Sequence, residues 1–272
     1  MKSSAALFHG LALSILLVGA MPVSAATVVF TSDVTIAASD PTHDGADIIV
    51  DGCTVTVEGS HTYSSVLLRN GSTLQLAGGG VLKVSGLIEV RGADTLRVLG
   101  MNTTGKVAGQ WQGQGGTILA NNLTVHAGAL ITADGQGYLS GQGPGADPDG
   151  NGGGSHGGEG FNGAGRYGSA REPVELGSGG SYATWSGSGG GAIRLVVTNL
   201  FTLGGEVSAD GQNSAAFPGG AGGSIWVTAG ALSGAGKFTA NGGAGGGDNA
   251  GGGGRIAVYS DQLGGFSGFG GT

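Results

Sequence analysis

The sequence predicts an all-β chain coiled as a β-solenoid of parallel strands with glycine-rich loop insertions. Three observations predict it. Runs of four to five β-favouring residues, each closed by a turn ending in glycine, follow one another through the first hundred residues. A second pattern, GG-x-I, recurs four times at a fixed phase in the rest of the chain. Beyond residue 25 there is no helical periodicity of useful length.

Residues 1–25 read as an export signal. Lys2 supplies a small positive start, "ALFHGLALSILLVGAM" an apolar stretch, and Val23-Ser24-Ala25 a small-residue cleavage site. The apolar run is short for a membrane-spanning helix, and no second hydrophobic span follows. The expected location is therefore exported: periplasmic, extracellular or at the cell surface.

Residues 26–110 read as the first rungs. "DIIVDG", "TVTVEG", "SVLLRNG", "TLQLAG", "VLKVSG", "LIEVRG" and "TLRVLG" succeed one another. Cys53, the only cysteine, alternates with Val55 and Val57 and is expected to be buried. One thiol excludes an internal disulfide, so stability must come from packing, backbone pairing or metal.

Residues 111–272 read as glycine-rich repeats continuous with those rungs. The four openings are Gly115–Ile118, Gly190–Ile193, Gly222–Ile225 and Gly253–Ile256. Second signatures follow the first three, "ITADG" (Ile131–Gly135), "VSADG" (Val207–Gly211) and "FTANG" (Phe238–Gly242), at isoleucine-to-Asp/Asn offsets of 16, 17 and 16. The fourth copy meets Thr272 before its second signature, which suggests a truncated chain. Between the first two copies lies a long insertion, 136–189. Insertions of variable length at one phase are what stacked rungs permit. A β-sandwich also accommodates many short strands, but one-residue turns such as that in "VSGLIEVRG" favour the solenoid.

Composition sharpens this. Of 64 glycines, 12 precede residue 101 and 52 follow it. Each ordered glycine costs roughly 0.5–1 kcal/mol more than alanine in backbone entropy. The second half can be ordered only if something repetitive pairs its backbone; otherwise its loops stay mobile. Six prolines and no G-X-Y period exclude collagen. The net charge of −7, with 18 acids, 11 bases and no basic cluster, argues against nucleic acid and suits cations or neutral glycans.

"ITADGQGY", "GGSHGGEG", "GSGGGAIRLVV", "GGSIWVTAGALSGAGKFTANGG" and "GGGGRIAVYS" resemble the glycine-rich repeat regions of large bacterial secreted or surface proteins, over roughly residues 110–265. The earlier rungs resemble parallel β-helices of the autotransporter-passenger and pectin-lyase-like type. The resemblance implies a right-handed parallel β-helix and a role at the cell surface or in a matrix. It implies no catalytic residues.

Candidate chemistry is sparse. "DPDGNGGGSHGGE" opens like a calcium loop, with Asp147, Asp149 and Asn151 at the first, third and fifth positions and Gly152 at the turn. Glu159 falls one residue past the bidentate position. These four residues form a candidate irregular calcium site, against an acidic turn of ordinary composition. Asp134, Asp210 and Asn241 would stack as a ladder, either as paired carboxylates or as turn formers at one corner. His156 is expected on a loop surface. No zinc pattern, nucleophile elbow or phosphate loop occurs. Arg194 and Arg255 flank their isoleucines and point to the opposite face, with no acid in either strand to complete a polysaccharide-cleaving cluster. Trp111, Tyr138, Phe161, Tyr167, Tyr182, Trp185 and Phe217 lie at or in the glycine-rich stretches, either pinning loops or offering a glycan surface; Trp226 and Phe238 are expected in the core.

The expected function is that of an exported structural or adhesive repeat protein of the bacterial surface or extracellular matrix, without catalysis. The alternatives are a calcium-assisted carbohydrate-binding module and a non-catalytic fragment of a β-helix polysaccharide-degrading enzyme. Expected partners are surface glycans, other envelope or matrix proteins, and copies of the same chain docking at solenoid ends.

Overall fold

A strand of four or five residues cannot hold a core alone and must stack. The computed structural model describes residues 25–182 and 185–272, so the candidate export signal falls outside the described residues apart from Ala25. Seventeen strands and no helix occur among the described residues. The early ones are β1 (Thr27–Phe30), β2 (Val34–Ile36), β3 (Asp47–Asp51), β4 (Thr54–Val57), β5 (Ser60–Tyr63), β6 (Ser65–Arg69), β7 (Thr73–Leu76), β8 (Val81–Val90) and β9 (Thr95–Val98). The glycine-rich half adds β10 (Gly116–Val125), β11 (Leu130–Thr132), β12 (Ala192–Leu203), β13 (Glu206–Ser208), β14 (Ser224–Gly234), β15 (Lys237–Thr239), β16 (Arg255–Ser260) and β17 (Gly268–Phe269).

They form two parallel sheets. The larger has ten strands in the order β1-β3-β6-β8-β10-β12-β14-β16, with β5 on β8 and β17 on β14; the smaller has seven, β2-β4-β7-β9-β11-β13-β15. The chain alternates between the sheets and returns beside its previous strand, which gives a solenoid-like stack. Most early strands alternate half-buried and buried residues, so one face of each sheet fills the interior.

Registers place like on like. Across the smaller sheet one row runs Val34, Val55, Leu74, Leu96, Ile131, Val207, Phe238. Across the larger sheet another runs Val28, Ile48, Val66, Ile88, Leu123, Phe201, Leu232. Both rows pass through the early and the glycine-rich rungs without a break. Each such side chain contributes about 1.5–3 kcal/mol when fully buried. Cys53 belongs to this core, 8% exposed and one residue ahead of β4.

Three details differ from the sequence reading. The strands β1, β2 and β5 are additional. "VLKVSG" and "LIEV" are one strand, β8, whose first half pairs with β5 and second half with β6. The GG-x-I copies also do not all align. Ile193, Ile225 and Ile256 share a row, but Gly116 occupies the first position of that row and Ile118 pairs with Leu195. The shift is two residues, so it keeps every side chain on its face. It is taken back at the next corner, where residues 126–129 connect β10 to β11 but only Gly204 and Gly205 connect β12 to β13.

The connections from β9 to β10, β11 to β12, β13 to β14 and β15 to β16 all leave the same corner. Their glycine-rich segments pack side by side as a layer beside that corner, bonded backbone to backbone. Gly219, Gly220 and Ala221 donate to three different neighbours, the carbonyls of Asn249, Gln212 and Ser178; Gly222 and Gly223 then return to the first two neighbours, at Gly252 and Ala209. The same spacing of three joins Gly187 and Gly190 to Pro218 and Ala221, Gly177 and Gly180 to Gly190 and Gly187, and Tyr138 and Gly141 to Gly177 and Gly180. An extended chain with three residues per turn has no internal hydrogen bonds and points successive N–H groups at different neighbours. Such segments can approach this closely only without a Cβ. One added at Gly189 would strike the carbonyl of Gly177, and one at Gly220 the carbonyl of Ser188. The repetitive pairing that a glycine-rich half requires is therefore present, between segments rather than within them.

Candidate binding surface

The acidic stretch is a turn held by its own carboxylate. Asp147, 9% exposed, accepts the backbone N–H of Asp149 at 3.0 Å and of Asn151 at 2.9 Å. The Asn151 amide donates to the Asp149 carbonyl. Glu159 points elsewhere, to Arg166 at 3.4 Å, where both side chains are exposed. Among the described residues no group of three or more His, Cys, Asp or Glu is placed to hold a metal ion.

The Asp134–Asp210–Asn241 ladder stacks directly, and its oxygens tie rung to rung. Asp134 accepts the N–H of Asp210 at 2.6 Å and the hydroxyl of Ser208 at 3.0 Å. Asp210 accepts the N–H of Asn241 at 2.6 Å and its side-chain amide. The two carboxylates thus cap the following rung, which is why asparagine ends the series as well as aspartate would.

His156 is fully buried, contrary to its expected place on a loop surface, because the segment around it packs against the connections that follow β13 and β15. Its Nδ1 lies 2.9 Å from the Gly222 carbonyl, its ring 4.9 Å from that of Tyr167, and its Nε2 has no partner. Burial pushes its pKa below the usual histidine value; the Gly222 carbonyl opposes that and Arg255 adds to it. Tyr167 donates to the Leu176 carbonyl, and burial holds its phenol well above the ordinary range. Arg255 donates twice to the Tyr167 carbonyl, at 3.1 and 2.9 Å. Arg194 instead lies 4.3 Å over the ring of Trp226, which is half-buried on the outer side of β14. No spacing in the sequence marks His156, Tyr167 and Arg255 as neighbours.

The aromatics divide between two roles. Tyr138 is buried, meets Trp111 edge-on at 5.2 Å and accepts the Gly113 N–H, so this pair pins the β11–β12 connection to the β9–β10 connection. Burial also pushes the Tyr138 phenol up. Tyr182, Trp185 and Phe217 form a cluster on the outside. Tyr182 stacks on Phe217 at 4.9 Å and 16°, and Trp185 meets Phe217 at 5.3 Å and 32°. Ser214 braces it, donating to the Trp185 carbonyl and accepting the Phe217 N–H. Trp185 is 64% exposed, Tyr182 41% and nearby Phe161 45%. Beside them is a cleft of about 350 Å³ whose lining includes Asn151, Asn162 and Asn249. The aromatics were visible in the sequence; the convergence of three asparagines from separate segments was not.

Comparison with known proteins finds no matching family model, no matching curated protein and no matching solved structure.

Proposed function

We propose that the chain is an exported structural or adhesive repeat protein of the bacterial surface or extracellular matrix, wound as a right-handed β-helix. The observation that carries this reading is the exposed Tyr182–Phe217–Trp185 cluster held on a layer bonded backbone to backbone. Large rings left in water are costly on a chain with only 6% aromatics. On a rigid platform they form a pre-organised contact, and pre-organisation lowers the ordering cost of binding. The export pattern of residues 1–25 and the resemblance of the repeats to secreted bacterial proteins support the location.

The test is display. Gram-negative cells expressing the full chain are fractionated, treated with external protease and scored for adherence to glycan-coated and bare surfaces. The expected result is protein outside the cytoplasm and adherence above that of cells expressing a variant lacking residues 1–25. Full-length protein retained in the cytoplasm would overturn the reading.

A further inference from the structure

The cleft beside Tyr182 and Phe217 combines two features that together narrow its ligand. The first is a set of stacked, exposed aromatic rings. Tyr and Trp have only two side-chain torsions, so little entropy is lost when they bind, and Ser214 already bonds the backbone of both Trp185 and Phe217. The second is a lining that includes three asparagines, Asn151, Asn162 and Asn249. Each amide both donates and accepts. Asn162 sits at a φ of 50°, in the left-handed region, at the edge of the cleft. None of the residues lining the cleft carries a charge.

We infer that this cleft and the ring that adjoins it bind an uncharged polysaccharide, with Tyr182 in the lining and Trp185 beside it, against Phe217, as stacking faces and Asn151, Asn162 and Asn249 as hydroxyl partners. This rests on the adhesive reading and names its ligand class. A pyranose ring has a C–H face of partial positive charge, which matches the negative face of an aromatic ring. Its rim is hydroxyls, which donate and accept as amides do. Other ligands fit less well. A polyanion would find no cation in the lining and would approach a chain of net charge −7. An apolar peptide would take water from the asparagines and offer nothing in its place, at a cost of about 1–3 kcal/mol for each polar group left unpaired.

The test is affinity electrophoresis of the purified protein in native gels containing galactomannan, xyloglucan or laminarin, beside gels containing polygalacturonate or alginate. Retardation is expected with at least one neutral polymer and not with the anionic ones. Trp185→Ala and Tyr182→Ala should each weaken it by about tenfold, which corresponds to ~1.4 kcal/mol, within the range of a single lost stacking contact. Trp185→Phe should restore part of it, and Leu263→Ala, fully exposed elsewhere, should leave it unchanged. The rescue distinguishes lost stacking from misfolding. Three results overturn the inference: no retardation by any neutral polymer, retardation that survives both alanine variants, or retardation by the anionic polymers alone. Protein that is exported and adherent yet not retarded removes this site and leaves the adhesive reading intact. Protein that is retarded yet stays in the cytoplasm does the opposite.

Discussion

Leu74, Leu96 and Ile131 join β7, β9 and β11 through three side chains in a row. Gly187 and Gly190 join Pro218 and Ala221 through N–H···O bonds alone. Both arrangements stack one segment on the next, but they are sensitive to different things. The interior row tolerates a change of shape if volume is kept, and it suffers when volume is lost. The glycine layer has little side-chain volume to lose where glycine meets glycine, and suffers there when volume is added. Sharing one set of rungs, the two regions teach that a solenoid can be tightened from the outside by backbone alone, provided the corner that emits the insertions stays in phase.

The largest expected effect comes from the interior row. Leu96 is fully buried between Leu74 and Ile131. Leu96→Ala should destabilise the protein by about 2–5 kcal/mol, through lost transfer energy and the cavity left behind. The measurement is the urea midpoint with an unchanged slope. Because the row is continuous through both halves, amide protection should fall in the glycine layer as well as in β7 and β9. Loss confined to the early rungs would divide the molecule into two independent units and break the comparison at its base.

Next comes the layer. Gly220→Ala places a methyl group against the Ser188 carbonyl, and the Gly187 carbonyl is close behind at 2.9 Å. The expected cost is about 1–3 kcal/mol, the usual range for overpacking. Hydrogen exchange should quicken at Gly187, Gly190 and Gly219–Gly223 while β3 to β9 keep their protection. The control is Gly150→Ala, where nothing lies within 4 Å, although its φ of 82° still carries local strain. Equal effects at the two positions would mean that the layer is not tightly packed.

How much of this was legible depended on which atoms do the stacking. β3, β4, β6, β7 and β9 announce themselves by period two, since alternate side chains must enter the interior. The Asp134–Asp210–Asn241 corner announces itself by its spacing from the isoleucines. The register of the first GG-x-I copy was misread by two residues because a shift of two preserves the alternation that sequence reasoning detects. The glycine layer had almost no signature. A run of glycines says that a Cβ is unwelcome but not which carbonyl excludes it, and the partners of Gly219, Gly220 and Ala221 lie in three distant segments. The same blindness hid His156, whose neighbours Tyr167, Gly222 and Arg255 meet it only after that layer has formed. At the candidate cleft the rings were legible and the asparagine lining was not, because Asn151, Asn162 and Asn249 arrive from separate turns.

The smallest expected effect uses His156 to probe the layer without changing its packing. An unfolded chain's histidine titrates near 6.5. Burial, with the Arg255 charge adding to it, holds the folded value below that, the Gly222 carbonyl and Glu175 notwithstanding. Between the two values the unfolded chain binds a proton that the folded chain refuses. The stability present above about pH 6.5 is therefore lost as the pH falls toward the lower folded value. The melting temperature should drop between pH 7.5 and 5, and drop less in His156→Gln. Lowered carboxylates such as Glu89, held down by Arg91, act elsewhere. Their contribution is full above the unfolded carboxylate value, about 4.3, and is lost only below it. Exchange should quicken first at Gly158, whose N–H meets the Gly253 carbonyl beside His156, and last in β7 and β9. A drop of equal size in His156→Gln would show that the acid sensitivity belongs to the rungs, and the two regions would then differ in packing but not in their response to protons.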